Sequence, residues 1–205
     1  SSQASQKAFI GAMHVVAGPR APAIVAAIGP GAARALLDIG GASGTYTLEF
    51  LRAAPEMRAT LFDLPEVVEL ARARIGAAGL LDRVRLVAGD FYRDELPAGH
   101  DLALLSAIIH QNSRAQNVDL YIKIRRALVP GGRLVIRDHV MSPDRTQPRD
   151  GAVFAINMLV RTAGGSTYTF DEIRGDLTQA GFERARLIQD GPGMVGLVEA
   201  FRPAG

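Results

Sequence analysis

Three acidic residues each close a short apolar run, and glycines crowd behind the first of them. Ala35-Leu36-Leu37-Asp38-Ile39 leads into Gly40-Gly41-Ala42-Ser43-Gly44, Ala59-Thr60-Leu61-Phe62 ends at Asp63, and Val84-Arg85-Leu86-Val87-Ala88 ends at Gly89-Asp90. Glycine lets a backbone turn tightly and come close to a ligand. A carboxylate only accepts hydrogen bonds, so Asp63 suits the two hydroxyls of a ribose and Asp90 suits the amino group of an adenine. If the three runs are parallel strands, their carboxyl ends lie on the edge where open α/β sheets bind ligands. The chemistry on offer is a nucleoside cradle. Taken singly, the glycines also read as an ordinary tight turn, and Asp63 as an acid favoured at a helix start. A glycine cluster followed by an acid is shared with dinucleotide folds.

The elements that would hold these residues alternate. Ser5 to Gly29 has helix-like apolar spacing through Phe9, Met13 and Val16, broken at Gly18-Pro19, with a short helix expected to continue to Ile28. After the first strand, Thr45 is placed to cap a helix with Leu48 and Leu51 on one face. Pro65 suits the first turn of the next helix, through Val67, Val68 and Ala71. Leu102 to Ile109 reads as a fourth strand, and Asn112 or Ser113 caps a helix reaching Leu128. Pro130-Gly131-Gly132 is expected to end that helix, with Arg133 to Arg137 as a fifth strand. Thr169-Phe170-Asp171-Glu172 is a capping box opening a helix that stops near Gly181. Ala185 to Gln189 and Val195 to Phe201 are separated only by a turn at Asp190 to Met194, which predicts an antiparallel hairpin. The predicted fold class is therefore α/β: a doubly wound, mostly parallel seven-stranded sheet with a C-terminal antiparallel hairpin. Residues 1–30 are read as a helical segment packing on a domain of residues 31–205.

The totals narrow the function classes. Lys and Arg number 23 against 21 Asp and Glu, for a net charge of +2, and the arginines are scattered. A nucleic-acid binder gathers its cations on one face, so no nucleic-acid partner is expected. No apolar run is long enough to span a bilayer, and Ser1 to Lys7 lacks the order of a signal peptide. The expected setting is the cytoplasm, away from membranes. The absence of cysteine fits a reducing compartment and removes thiolate metal sites and a cysteine nucleophile.

As a set, these motifs resemble a known family. Leu37-Asp38-Ile39-Gly40-Gly41-Ala42-Ser43-Gly44, Phe62-Asp63-Leu64-Pro65, Gly89-Asp90-Phe91, Ile109-His110 and Leu128-Val129-Pro130-Gly131-Gly132 together look like the catalytic domain of class I S-adenosylmethionine (SAM) dependent O-methyltransferases. The resemblance is to the plant caffeate-type and bacterial antibiotic-pathway enzymes, and runs from about Phe9 to Phe201. It implies a Rossmann-like methyltransferase fold, SAM as cofactor with S-adenosylhomocysteine as product, and a small, aromatic hydroxyl acceptor. Gly40, Gly41 and Gly44 would line the methionine part of SAM, Asp63 would hold the ribose, Asp90 and Phe91 would contact the adenine, and Ser106 would lie near the methionine end, with Asp38 and Leu64 as further cofactor-binding residues. Met13, Asn157 and Met158 would line the acceptor pocket, and His110 would be the general base. A neutral imidazole is suited to the task because histidine titrates at about 6.5. No metal ligand set is implied, and homodimer formation is the assembly implied.

Three features depart from the family pattern. His110 is followed by Gln111-Asn112 where the family has Asp-Trp. The stretch from Gly165 to Thr169 lacks the acid that orients the histidine in plant members, leaving Asp138 as a candidate substitute. No winged-helix dimerisation domain is read in these residues. Two alternatives stay open: a SAM-binding protein of this fold with altered or lost methyl transfer, and a nicotinamide-dependent reductase.

Overall fold

The computed structural model describes residues 18–205, which divide into two compact units, one up to Pro97 and one from Ala98 onward. Residues 1–17, including Met13, lie outside the described residues. The first unit opens with a 3-10 turn at Gly18–Arg20 and helix α1 (Ala21–Ile28). It then alternates β1 (Ala35–Ile39), α2 (Thr45–Ala53), β2 (Arg58–Asp63), α3 (Pro65–Ala77) and β3 (Val84–Ala88). The three strands are parallel in the order β3-β2-β1. Successive strand residues point to opposite faces, yet Leu36, Leu37, Leu61 and Phe62 are all buried. Both faces of these strands are therefore covered, as crossover helices require. Helix α3 starts on Pro65, where a missing N–H removes no bond, and buries Val67, Val68, Ala71 and Ile75 along one stripe. The guanidinium of Arg83 donates to the carbonyls of Leu51 (3.1 Å) and Ala54 (2.8 Å) at the end of α2. A cation there complements the helix dipole.

The second unit contains β4 (His100–Ser106), a 3-10 turn (Ile109–Gln111), α4 (Arg114–Ala127) and β5 (Leu128–Asp138). It continues with β6 (Val140–Met141), α5 (Arg149–Arg161), β7 (Tyr168–Thr169), α6 (Phe170–Gln179), β8 (Glu183–Gln189) and β9 (Gly196–Phe201). The order is β4-β5-β9-β8, with β4 parallel to β5 and the predicted hairpin β8–β9 antiparallel. β6 and β7 form a separate two-stranded parallel pair. Leu102, Leu104, Leu134, Val135 and Val198 build the core. Two capping boxes start the long helices: Ser113 with Gln116 on α4, and the predicted Thr169 with Glu172 on α6. Helix α5 differs from the others. It buries only Gly151 and leaves Val153, Ile156, Leu159 and Val160 exposed, the last at 82%.

Four local readings change. Thr45 does not cap α2: the N-cap is Gly44, at φ +76°, with no side-chain cap bond. The fourth strand stops at Ser106, because Ala107 turns left-handed at φ +58° and residues 109–111 coil into a 3-10 turn. Pro130-Gly131-Gly132 lies inside β5. There the pairing jumps from His100–Leu128 to Leu102–Arg133, so residues 129–132 bulge out opposite the single residue Asp101. Helix α5 and the β6–β7 pair were not read from the sequence at all.

Candidate functional site

In the first unit the glycine turn passes tightly over the strands. Gly40 (φ +65°) and Gly44 (φ +76°) are left-handed, and a Cβ on Gly41 would fall 2.7 Å from Leu61 Cγ. Between them Ala42 also turns left-handed, at φ +48°, a conformation side chains disfavour. It is held there by its N–H, which donates to Asp63 Oδ2 at 2.8 Å. Asp63 Oδ1 accepts the N–H of Leu64 at 2.7 Å. Burial pushes the Asp63 carboxyl up from its usual range. Each oxygen takes one backbone N–H and keeps capacity to accept a hydroxyl, so the residue fits a ribose diol.

Asp38 is placed differently. It is 1% exposed, and its Oδ2 accepts the Thr47 hydroxyl at 2.6 Å. Burial raises its pKa to about 6. Its carboxylate supports the glycine turn from beneath. At the next strand end, Gly89 N–H donates to Asp63 carbonyl O at 2.9 Å, tying the ends of β2 and β3 together. A Cβ on Gly89 would fall 2.5 Å from Phe62 Cζ, so only glycine passes that ring. Asp90 Oδ1 accepts the N–H of Tyr92 at 2.9 Å, and the Phe91 ring leans on Tyr92 with centroids 4.5 Å apart. Leu64 is partly exposed beside Asp63. The glycine turn, Asp63 and Asp90 thus lie together along the carboxyl ends of β1, β2 and β3 in this unit.

The second unit holds the histidine. His110 sits in the 3-10 turn, 9% exposed, with Nδ1 2.9 Å from both Oδ1 and Oδ2 of Asp138. An ionised carboxylate can only accept, so Nδ1 carries the proton and Nε2 is left with the lone pair. Asp138 is itself buried and its Oδ1 also accepts the N–H of His139 at 2.8 Å. The Phe154 ring meets His110 edge-to-face, centroids 4.9 Å apart at 86°, and lies 4.9 Å from the His139 ring. His139 is buried, and among the described residues its Nδ1 has no hydrogen-bond partner. Burial lowers its pKa, which keeps it neutral near pH 7.

The turn carrying His110 is pinned from three sides. Asn117 Nδ2 donates to Ile109 O at 3.1 Å, Asn112 Nδ2 donates to Asn117 Oδ1 at 3.0 Å, and the Tyr168 hydroxyl donates to Asn112 O. A Cβ on Gly165 would fall 2.5 Å from His110 O. Asn112, one of the departures from the family pattern, is thus a buried strut of the turn.

Of the remaining residues singled out from the sequence, Ser106 accepts a hydrogen bond from Arg137 Nη1 at 3.1 Å. Met158 is half-buried. Asn157 is exposed and its amide reaches its own helix, 3.5 Å from Val153 O. Thr47, Ala42 and Phe154's place beside His110 were not found from the sequence. Asp138 was, through its position at a strand end.

The mostly parallel seven-stranded α/β architecture with a closing antiparallel hairpin is the class I methyltransferase fold. The chain belongs to the O-methyltransferase domain family, which it matches over residues 3–183. It is 37% identical over 170 residues to 3-hydroxy-5-methyl-1-naphthoate 3-O-methyltransferase of Streptomyces sahachiroi, covering 82% of this chain and 49% of that protein. An O-methyltransferase family 2 protein from Planctomyces limnophilus, solved in complex with apigenin, is 29% identical with a TM-score of 0.84, covering 98% of this chain and 62% of that one. Human N-acetylserotonin methyltransferase, solved with SAM, shares the fold at a TM-score of 0.89 and 24% identity, over 98% of this chain and 57% of that one. The chain spans about half the length of the relatives it matches. No helix among the described residues is long and apolar enough to cross a membrane.

Proposed function

We propose that this chain is the catalytic domain of a SAM-dependent O-methyltransferase acting on a hydroxyl of a small aromatic molecule, with His110 as the general base. The observation that carries the reading is the buried His110–Asp138 pair, 2.9 Å at both carboxylate oxygens. Any buried histidine needs hydrogen-bond partners, but here the partner is a carboxylate on Nδ1, which holds the proton on that nitrogen and leaves the lone pair on the other, as a general base requires. Asp138 takes the orienting part for which the stretch from Gly165 to Thr169 has no acid.

The residues that would hold SAM are Gly40, Gly41 and Gly44, with Asp63 and Leu64 at the ribose, Asp90 and Phe91 at the adenine, and Ser106 near the methionine end. Asp38 acts one step removed, by bonding Thr47 beneath the turn. The bound cofactor would supply a sulfonium methyl, transferred to the acceptor oxygen with S-adenosylhomocysteine as the second product. His110 Nε2 takes the hydroxyl proton, and Asp138 stabilises the imidazolium that results. The half-buried Met158 and the ring of Phe154 supply apolar surface for an aromatic acceptor, and Asn157 and Met13 belong to the same proposal.

Calorimetry with SAM, S-adenosylhomocysteine, NAD and NADP comes first, followed by a screen of hydroxyarenes, hydroxybenzoates and hydroxynaphthoates as acceptors. His110→Ala should bind SAM as the parent does and lose about a hundred- to ten-thousandfold in turnover. Preferential binding of a nicotinamide cofactor would sink the cofactor assignment, and parental turnover by folded His110→Ala would sink the base assignment.

A further inference from the structure

Asp138 fixes only one end of the His110 imidazole. Its two oxygens are equidistant from Nδ1, at 2.9 Å each. Such a bond sets which nitrogen carries the proton, but a ring held at one atom still rocks about that contact. A second restraint comes from helix α5. Phe154 meets two imidazoles, edge-to-face with His110 at 86° and tilted by 37° against His139, both at 4.9 Å. The perpendicular pairing is the favoured arrangement for aromatic rings at that spacing. The His139 ring also packs on Phe154, and the His139 backbone N–H bonds Oδ1, one of the two Asp138 oxygens that face His110. Carboxylate and rings thus form one connected clamp around the imidazole.

The clamp depends on how near α5 approaches. Gly151 lies almost one helical turn before Phe154, and a Cβ there would fall 2.6 Å from Met141 Sδ and 3.3 Å from His139 Nδ1. Glycine lets this part of α5 lie against Met141 and His139 without displacing either side chain, and the same close approach brings Phe154 to both histidine rings. Gly151 is also the single buried residue of the helix.

We infer that Phe154 is a positioning residue for His110: its ring restrains the imidazole in the plane in which Nδ1–H meets Asp138, so that Nε2 keeps a fixed direction. The catalytic consequence rests on His110 being the base. The restraint itself is a property of the chain alone and is read without cofactor or acceptor.

The test is nuclear magnetic resonance of protein labelled with ¹⁵N-histidine. A buried Nδ1–H bonded to a carboxylate gives a downfield proton signal whose exchange with water reports how often the ring leaves its partner. In the parent this signal should be present and slow to exchange, and His110→Gln should remove it, which assigns it. Phe154→Leu should speed its exchange about three- to tenfold, while Phe154→Tyr, which keeps the ring, should restore the parental rate. Backbone amides of β5 serve as the control and should keep parental protection in every variant. If Phe154→Leu fails to fold, Phe154→Met serves instead, since it removes the ring while filling similar space, and the same acceleration is expected. Absence of the signal in the parent overturns the inference. So does an unchanged rate in a folded variant, and so does a speed-up matched by the β5 amides, which would mean general loosening. An active His110→Ala protein would remove the base assignment yet leave this measurement intact.

Discussion

Asp38 is buried and Asp63 partly buried, both near strand ends, and their surroundings give them different work. Asp63 receives the backbone N–H groups of Ala42 and Leu64, whereas Asp38 is bonded by Thr47 and its burial raises its pKa to about 6. The unfolded chain releases the Asp38 proton near 3.8, and the folded chain holds it to about 6. Between those values the folded state binds more protons, so this group's contribution to stability falls as pH rises from about 4 to about 6. Roughly two pKa units correspond to about 3 kcal/mol. Asp38→Asn keeps an oxygen for Thr47 and removes the titration. Urea unfolding at pH 4 and pH 7 should therefore show the variant gaining on the parent as pH rises, and parallel pH curves for the two proteins would refute the assignment. The three strand-end acids were legible because an apolar run followed by an acid is a local pattern. The Asp38–Thr47 bond was not, since which face of the strand an acid takes depends on tertiary packing. Asp138 falls between these cases: its strand end was visible, but its distance from His110, 28 residues earlier, was not.

At the scale of elements, strong local chemistry was legible and weak local chemistry was not. Thr169 and Glu172 satisfy each other's backbone partners, so the start of α6 was fixed by four consecutive residues. Replacing Thr169 with alanine should remove the cap and lower unfolding free energy by about 1 kcal/mol. A denaturant midpoint equal to the parent's would show that the cap contributes nothing. The hairpin β8–β9 was readable from its short Asp190–Met194 connection. By contrast, β6 and β7 are two residues each, too short for any alternation to register. The Pro-Gly-Gly segment misled because proline and glycine signal a break, while β5 absorbs them as a bulge with Gly131 at φ +76°. Ala107 ended the fourth strand early by a left-handed turn that an alanine gives no reason to expect.

For the whole molecule, the order of strands and the family follow from motifs spread across both units, which is why the fold was readable although several boundaries were not. Helix α5 resisted reading because its pattern suits no ordinary surface helix: one side reaches the histidines through Gly151 and Phe154, and the other leaves Val153 (61%), Ile156 (63%), Leu159 (70%) and Val160 (82%) in water. That second side governs how the protein partitions between solvents. Sulfate ions are excluded from protein surfaces and raise the free-energy cost of wetting apolar area. This chain should therefore precipitate at lower ammonium sulfate concentration than Ile156→Lys/Val160→Glu, and should leave a phenyl-substituted resin later in a falling salt gradient. The two changes lie on the outward side of α5, so far-ultraviolet circular dichroism should not move. Coinciding precipitation and elution profiles would mean that Ile156 and Val160 do not set the protein's solubility.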